Sequence, residues 1–189
     1  MCYNTVGDIM NELNQLLALL QVFKTPSYDK LPEIDLYMDQ VLTYIKKNLP
    51  PFKETDKDIL TASMINNYVK DNVIKNPVDK KYDKEAIASL IMVANLKRVM
   101  PIQDIKSILS NPNDTEKLYT VYQKNLDTVI QSMLSMEKAL TSDDQVTKVA
   151  LELAIDASVK AYFAHMMLAR ETETIKEKRK KDKEKYNLE

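Results

Sequence analysis

The chain of 189 residues contains a single glycine, Gly7, and this limits the turns and sheets that it can build. Glycine adopts positive φ at little steric cost, so hairpins, tight turns and phosphate-binding loops draw on it. Lys, Glu, Leu, Met and Ala are frequent in the chain and are good helix formers. We therefore predict an all-α protein.

Targeting and redox signals are sparse. Cys2 is the only cysteine, so no intramolecular disulfide is expected, and the first residues carry no basic leader with a cleavage site. No apolar run approaches the roughly 18 residues that a membrane span needs. These features predict a cytoplasmic protein without a membrane partner.

Apolar residues recur at helical spacing along most of the chain, and proline and asparagine punctuate it. Thr141, Ser142 and Asp143 form a break that is too short for anything but a reversal, so the last two helices are expected to pack antiparallel. The predicted helices cover residues 5–23, 33–49, 61–70, 84–99, 101–109, 116–140 and 143–185.

Charge is unevenly distributed around the overall net charge of -1. Residues 56–100 carry 8 basic and 6 acidic side chains, while 1–55 and 101–169 are both net acidic. This modest local excess of positive charge is the kind that contact with nucleic acid requires.

The basic region contains a short predicted helix, residues 61–70, with one apolar and one polar side. Ile65, Tyr68 and Val69 are expected to face inward, which leaves small polar side chains on the outer side. A helix enters the DNA major groove when such a face is unobstructed. The candidate DNA-binding residues are this outer face with its neighbouring lysines and one tyrosine: Thr61, Ser63, Asn66, Asn67, Lys70, Lys75, Lys80, Lys81, Tyr82 and Lys84.

The stretch from Leu60 to Leu109 resembles the DNA-binding head of the MerR family. That family carries Thr-Ile-Arg-Tyr-Tyr-Glu on a recognition helix, then a Gly-Leu-Ile-x-Pro hinge and an Arg-x-Tyr wing. The matching positions in this chain are Ile65, Tyr68, Val73, Ile74, Pro77, Lys80 and Tyr82. Asn66, Asn67 and Asn72 depart from the pattern, standing at the family's Arg, first Tyr and hinge Gly.

The chain also resembles an uncharacterised family, the YkrK-like proteins, carried as a domain of unknown function. The segments that carry this resemblance are Leu36–Gln40, Met64–Lys70 and Lys81-Tyr82, and it spans most of residues 30–110. It implies no established activity.

The MerR resemblance implies a winged helix-turn-helix in residues 31–112. The helical spacing predicts a packing helix in 1–30 before it and a helical hairpin in 113–189 after it. The resemblance also implies a DNA-binding transcriptional regulator that binds double-stranded DNA as a homodimer through helices 116–140 and 143–175. The alternative is a helical protein–protein interaction module that keeps the fold without binding DNA.

Catalytic signals are weak. The single histidine, His165, allows no confident Ser-His-Asp set, and no Walker loop or dinucleotide fingerprint occurs. We predict no enzyme activity, cofactor or metal, and expect His165 in the core or at its boundary. A small-molecule effector is left open, because Met133, Met136, Met166 and Met167 are scattered along the last two helices, although ordinary packing is the favoured interpretation.

Overall fold

The computed structural model describes residues 6–52, 59–110, 114–137 and 143–186. These residues are mostly helical and include one two-stranded antiparallel sheet, which confirms the all-α class in its coarse form. The elements are α1 (Val6–Val22), a 3-10 helix (Tyr28–Lys30), β1 (Leu36–Tyr37), α2 (Met38–Asn48), α3 (Ala62–Lys70), β2 (Lys81–Tyr82), α4 (Lys84–Leu96), α5 (Ile102–Ile108), α6 (Thr115–Glu137) and α7 (Asp143–Tyr186).

Helix α4 forms the centre of the main core. Asp83 caps it, accepting a hydrogen bond from the Ala86 backbone N–H at 2.9 Å. A helix that is apolar on every side must be surrounded, and α4 is in contact with α2, α6 and β2. Its buried residues are Ala86, Ile87, Ala88, Leu90, Ile91, Met92, Val93 and Ala94.

A second, smaller core joins α1 to α6, where Leu20 is buried with Ile130 and Leu134. The linker after α1 is bound to α6, since the hydroxyl group of Thr25 donates to the carboxylate of Asp127 at 3.0 Å. Helix α6 therefore packs on both α4 and α1.

The small sheet differs from the helix predicted for residues 33–49. Leu36 pairs with Tyr82, and Tyr37 pairs with Lys81, so helix α2 begins only at Met38. The Gln40 side chain accepts a hydrogen bond from the Tyr37 backbone N–H at 2.9 Å, which marks the start of the helix. Local periodicity did not reveal this boundary because the partner strand lies more than forty residues away.

The last two helices also differ from the prediction. Helix α6 packs on α4 and α1, whereas α7 makes its main contacts with α5. Over the described ranges the two helices do not pack against each other along their length as an antiparallel hairpin. The apolar side chains of α6, such as Tyr119 and Ile130, are already buried in the two cores. Most of the predicted reversal lies outside the described residues. No helix in the described part of the chain is long and apolar enough to cross a membrane.

Candidate nucleic-acid interface

Helix α3 is short and is fixed at both ends. At its start, the Thr61 hydroxyl accepts a hydrogen bond from the Met64 backbone N–H at 3.2 Å. In the middle, Ile65 is fully buried and anchors the helix to the main core. At its end, Asn72 adopts a φ of 54°, the left-handed conformation that asparagine tolerates well. The helix therefore ends at Lys70, as the sequence predicted.

The outer face of α3 is solvent-exposed. Ser63, Asn66, Asn67 and Lys70 are all exposed, and their spacing of three and four residues places them on neighbouring turns. Within the described ranges, no hydrogen bond or ion pair engages the side chains of Asn66, Asn67 or Lys70. The amide and ammonium groups of this face therefore have no hydrogen-bond or ion-pair partner among the described residues.

The carboxyl end of α3 is held by α5. The Lys106 ammonium group donates to the Asp71 carbonyl oxygen at 2.6 Å, where a cation favours the negative end of the helix dipole. Behind this end, Val73 and Ile74 are buried, and both of their backbone N–H groups donate to the Tyr68 carbonyl. Sequence reasoning missed Lys106, which carries no signal beyond its charge.

The ribbon, defined here as β1, β2 and the turn Val78–Lys81, is the second part of the candidate interface. Val78 and Lys81 exchange two backbone hydrogen bonds, of 3.0 and 2.8 Å. Between them, Asp79 and Lys80 have φ of 49° and 64°, the positive values that a two-residue hairpin turn requires. Lys80 is exposed at the tip, and β2 packs on α2, as α3 does.

Two lysines of the ribbon region lie over aromatic rings. The Lys81 ammonium group is 5.1 Å from the centroid of Tyr37, and that of Lys84 is 5.1 Å from the centroid of Tyr28. A cation over a ring keeps its charge while its stem is positioned. Both side chains are half-buried, so their charges are oriented by the fold.

Tyr82 is not available to a ligand, because only 3 % of it is exposed. Its ring belongs to the main core, and burial raises the pKa of its hydroxyl group. This buried position fits a role in holding the ribbon to the core. Its inclusion among the DNA-contacting residues is therefore corrected.

Lys75 is exposed, but two neighbouring carboxylates offset its positive charge. Its ammonium group lies 2.5 Å from the Asp83 carboxylate and 3.5 Å from that of Glu85, and the hydrogen bond with Asp83 is the main cause that raises the pKa of Lys75. Burial acts to raise the pKa of Asp83, but the bonds from Lys75 and from the Ala86 backbone outweigh it, and the pKa is lowered. Lys75 thus contributes less free charge than the sequence suggested.

Two cations that the sequence did not single out connect the end of α4 to residues in or before α3. The Lys97 ammonium group donates to the Ile59 carbonyl and lies 3.5 Å from the Met64 sulfur. The Arg98 guanidinium donates to the Phe52 carbonyl at 2.8 Å and lies over the ring of the same residue. Both follow α4, and their partners are far away in sequence, so no local pattern indicated them.

Together these elements form a helical domain in which an exposed polar helix and a two-stranded ribbon share one core. The chain belongs to the family of a domain of unknown function, DUF1836, whose model matches residues 26–125. That range runs from the linker after α1 to the middle of α6 and covers more than half of the chain. Comparison with curated proteins and with solved structures gave no significant match. Within the described ranges, no cluster of three or more His, Cys, Asp or Glu could hold a metal ion.

Proposed function

We propose that the protein is a sequence-specific DNA-binding transcriptional regulator with a MerR-like winged helix-turn-helix. In this proposal α2 and α3 are the helix pair, α3 enters the major groove, and the ribbon is the wing. The observation that carries it is the exposed face of α3, whose amide and ammonium groups have no partner within the described ranges. The resemblance to the MerR motif supports the same assignment.

The chemistry of this face suits base readout. An asparagine side chain can donate to and accept from an adenine edge in the major groove. Asn66 and Asn67 follow each other on an exposed helix, and Ile65 fixes their position from behind. We propose that Asn66 and Asn67 contact bases and that Thr61 and Ser63 lie at the groove edge.

The lysines suit phosphate contacts, which position a protein without reading sequence. Lys70 and Lys80 are exposed, and Lys81 and Lys84 are held over rings. Lys75 is the weakest candidate because Asp83 and Glu85 lie beside it. We therefore propose a small number of phosphate contacts and an affinity that depends moderately on salt.

We further propose a homodimer, as palindromic DNA sites require two heads. The sequence suggested helices 116–140 and 143–175 as its basis, and α7 is the better candidate. Ile155, Val159, Tyr162 and Met166 are all about half or more exposed and follow the four-three-four spacing of a coiled-coil seam. No described element of the same chain covers this seam.

Binding is tested with duplex oligonucleotides that have a randomised centre, selected by the full-length protein and then measured by gel shift over a range of salt concentrations. Each phosphate contact contributes about 0.9 to the slope of log affinity against log salt. We expect Lys70→Ala and Lys80→Ala each to reduce the slope, and Asn66→Ala to relax the selected sequence. Lys124→Ala, which removes an exposed lysine from α6, is the matched control and should change neither.

Selection of no sequence at low salt would contradict the proposal. The protein–protein interaction module would then be favoured, since the exposed apolar side chains of α7 provide a surface for it. A slope that changes equally for Lys70→Ala and Lys124→Ala would indicate nonspecific attraction and would contradict the assignment of α3.

A further inference from the structure

His165, the single histidine of the chain, is exposed, whereas the sequence predicted a position in the core or at its boundary. Its Nδ1 atom lies 2.7 Å from the Asp104 carboxylate, which connects α7 to α5. The His165 side chain is 51 % exposed, whereas that of Asp104 is 14 % exposed. A largely shielded carboxylate on the body of the protein therefore faces an imidazole on the long helix.

Within the described ranges, the contact with Asp104 is the one ion pair or hydrogen bond of this imidazole. One turn away on α7 lie Ala161, Tyr162, Leu168 and Ala169, of which only the exposed tyrosine titrates. The next charged groups along α7 are Lys160 and Arg170. Lys160 is paired with Asp156 at 2.6 Å, and Arg170 lies more than one turn beyond His165.

On α5, the other ionisable side chain is Lys106, and it is directed to the Asp71 carbonyl at the end of α3. Asp104 is therefore the one carboxylate that contacts His165 among the described residues. The pair stands apart from other ionic networks.

We propose that His165 and Asp104 form a pH-sensitive latch that holds α7 against α5. A protonated imidazole forms a charge-assisted bond with the carboxylate, and this bond is stronger than one with a neutral ring. Histidine side chains ordinarily titrate near pH 6.5. The latch is firm when the imidazole is protonated and loosens when the imidazole is neutral.

The latch can affect the position of α7 because α5 is the main contact of α7 within the described ranges. The same short helix holds the end of α3 through Lys106 and Asp71, two residues from the latch. Release of α7 removes one of the constraints on α5. An effect on DNA affinity would follow only if the proposed function is right, so the latch itself is tested without DNA.

The test is a pulsed EPR distance measurement between spin labels at Lys124→Cys on α6 and Glu152→Cys on α7, in a Cys2→Ser background. Both positions are exposed, and an excess of unlabelled protein removes distances between copies. We expect a narrow distance distribution at about pH 5.5 and a broader one at about pH 8.

Three variants identify the groups. His165→Gln and Asp104→Asn should lose the pH response, and His165→Lys, charged at both pH values, should keep the distribution narrow throughout. Circular dichroism confirms that each variant is folded. An unchanged distribution in the parent protein, or a response that survives in His165→Gln, overturns the latch. Either result leaves the DNA-binding proposal untouched.

Discussion

At the scale of single residues, this chain with one glycine places other residue types at positions that require positive φ. Asn72, Asp79 and Lys80 occupy the left-handed region, where glycine is usual. Asparagine and aspartate tolerate it because their short polar side chains bond locally, but lysine has no such compensation. Lys80 thus sits at the tip of the ribbon against its backbone preference, which is consistent with a role for its charge.

Two substitutions of Lys80 separate backbone strain from charge. Lys80→Gly should leave the free energy of unfolding within about 1 kcal/mol of the parent value, because relief of strain offsets the gain of unfolded-state entropy. Lys80→Val should lower it by about 1–2 kcal/mol, because a β-branched residue fits positive φ poorly. Urea denaturation measures both. Equal losses in the two variants would contradict the turn geometry, and DNA binding should weaken in both.

Buried Tyr119 and half-buried Tyr122 provide a second matched pair, because the hydroxyl group of each lies inside the protein. The Tyr119 hydroxyl donates to the Pro26 carbonyl at 3.1 Å and ties α6 to the linker. The Tyr122 hydroxyl is buried without a well-formed hydrogen bond in the described part of the chain, although Asn95 comes near it. Burial is the main cause that raises the pKa of both hydroxyl groups, so both are neutral at physiological pH.

We expect Tyr119→Phe to lower the free energy of unfolding by about 1 kcal/mol, since it removes a hydrogen bond and leaves a carbonyl unpaired. Tyr122→Phe should be close to neutral or slightly stabilising, because it removes a buried polar atom that lacks a good partner. Thermal or urea denaturation distinguishes them. A larger loss for Tyr122→Phe than for Tyr119→Phe would reverse the assignment of the two hydroxyl groups.

At the scale of elements, the helix ends could be predicted from the sequence because capping depends on neighbouring residues. Thr61 and Asp83 lie at the starts of the helices predicted for 61–70 and 84–99, and the side chain of each accepts a backbone hydrogen bond from the first turn. Strand β1 could not be predicted from the sequence, because two residues followed directly by a helix are too few to show the alternating pattern of a strand. Its pairing with Lys81 and Tyr82 depends on the whole intervening chain.

Asp83 combines a helix cap with an ion pair to Lys75, which gives a pH-dependent prediction. Asp83→Ala should lower the free energy of unfolding at pH 7 by about 1 kcal/mol. The folded-state pKa of Asp83 is lowered, so its contribution is present above the unfolded pKa of about 4 and is lost as pH falls through the folded value.

Urea denaturation of the parent and of Asp83→Ala should therefore converge as the pH is lowered below about 4. Asp35→Ala, which removes an exposed carboxylate outside the helices, is the control and should have little effect at pH 7. A constant difference at every pH would show that the charge of Asp83 contributes nothing.

At the scale of the whole molecule, α7 presents an apolar seam that no other described element covers. Adjacent methionines test whether the seam forms the proposed dimer. Met166 lies on the line of Ile155, Val159 and Tyr162, whereas Met167 is more exposed but is turned about 100° away from Met166. Met166→Glu should dissociate the dimer and Met167→Glu should not, as measured by light scattering at micromolar concentration. A monomeric parent protein would contradict the dimer, and dissociation by both substitutions would contradict the seam.

The sequence by itself determined the helical class, most helix boundaries and the polar outer face of α3, because periodicity, capping and residue type act over a few neighbouring positions. Only the tertiary structure decided that Tyr82 is buried, that Asp83 offsets the charge of Lys75, and that α7 makes its main described contacts with α5. These outcomes depend on which surfaces of the folded chain pack together and which charged groups become neighbours. The local spacing of residues in the sequence contains no information about those contacts.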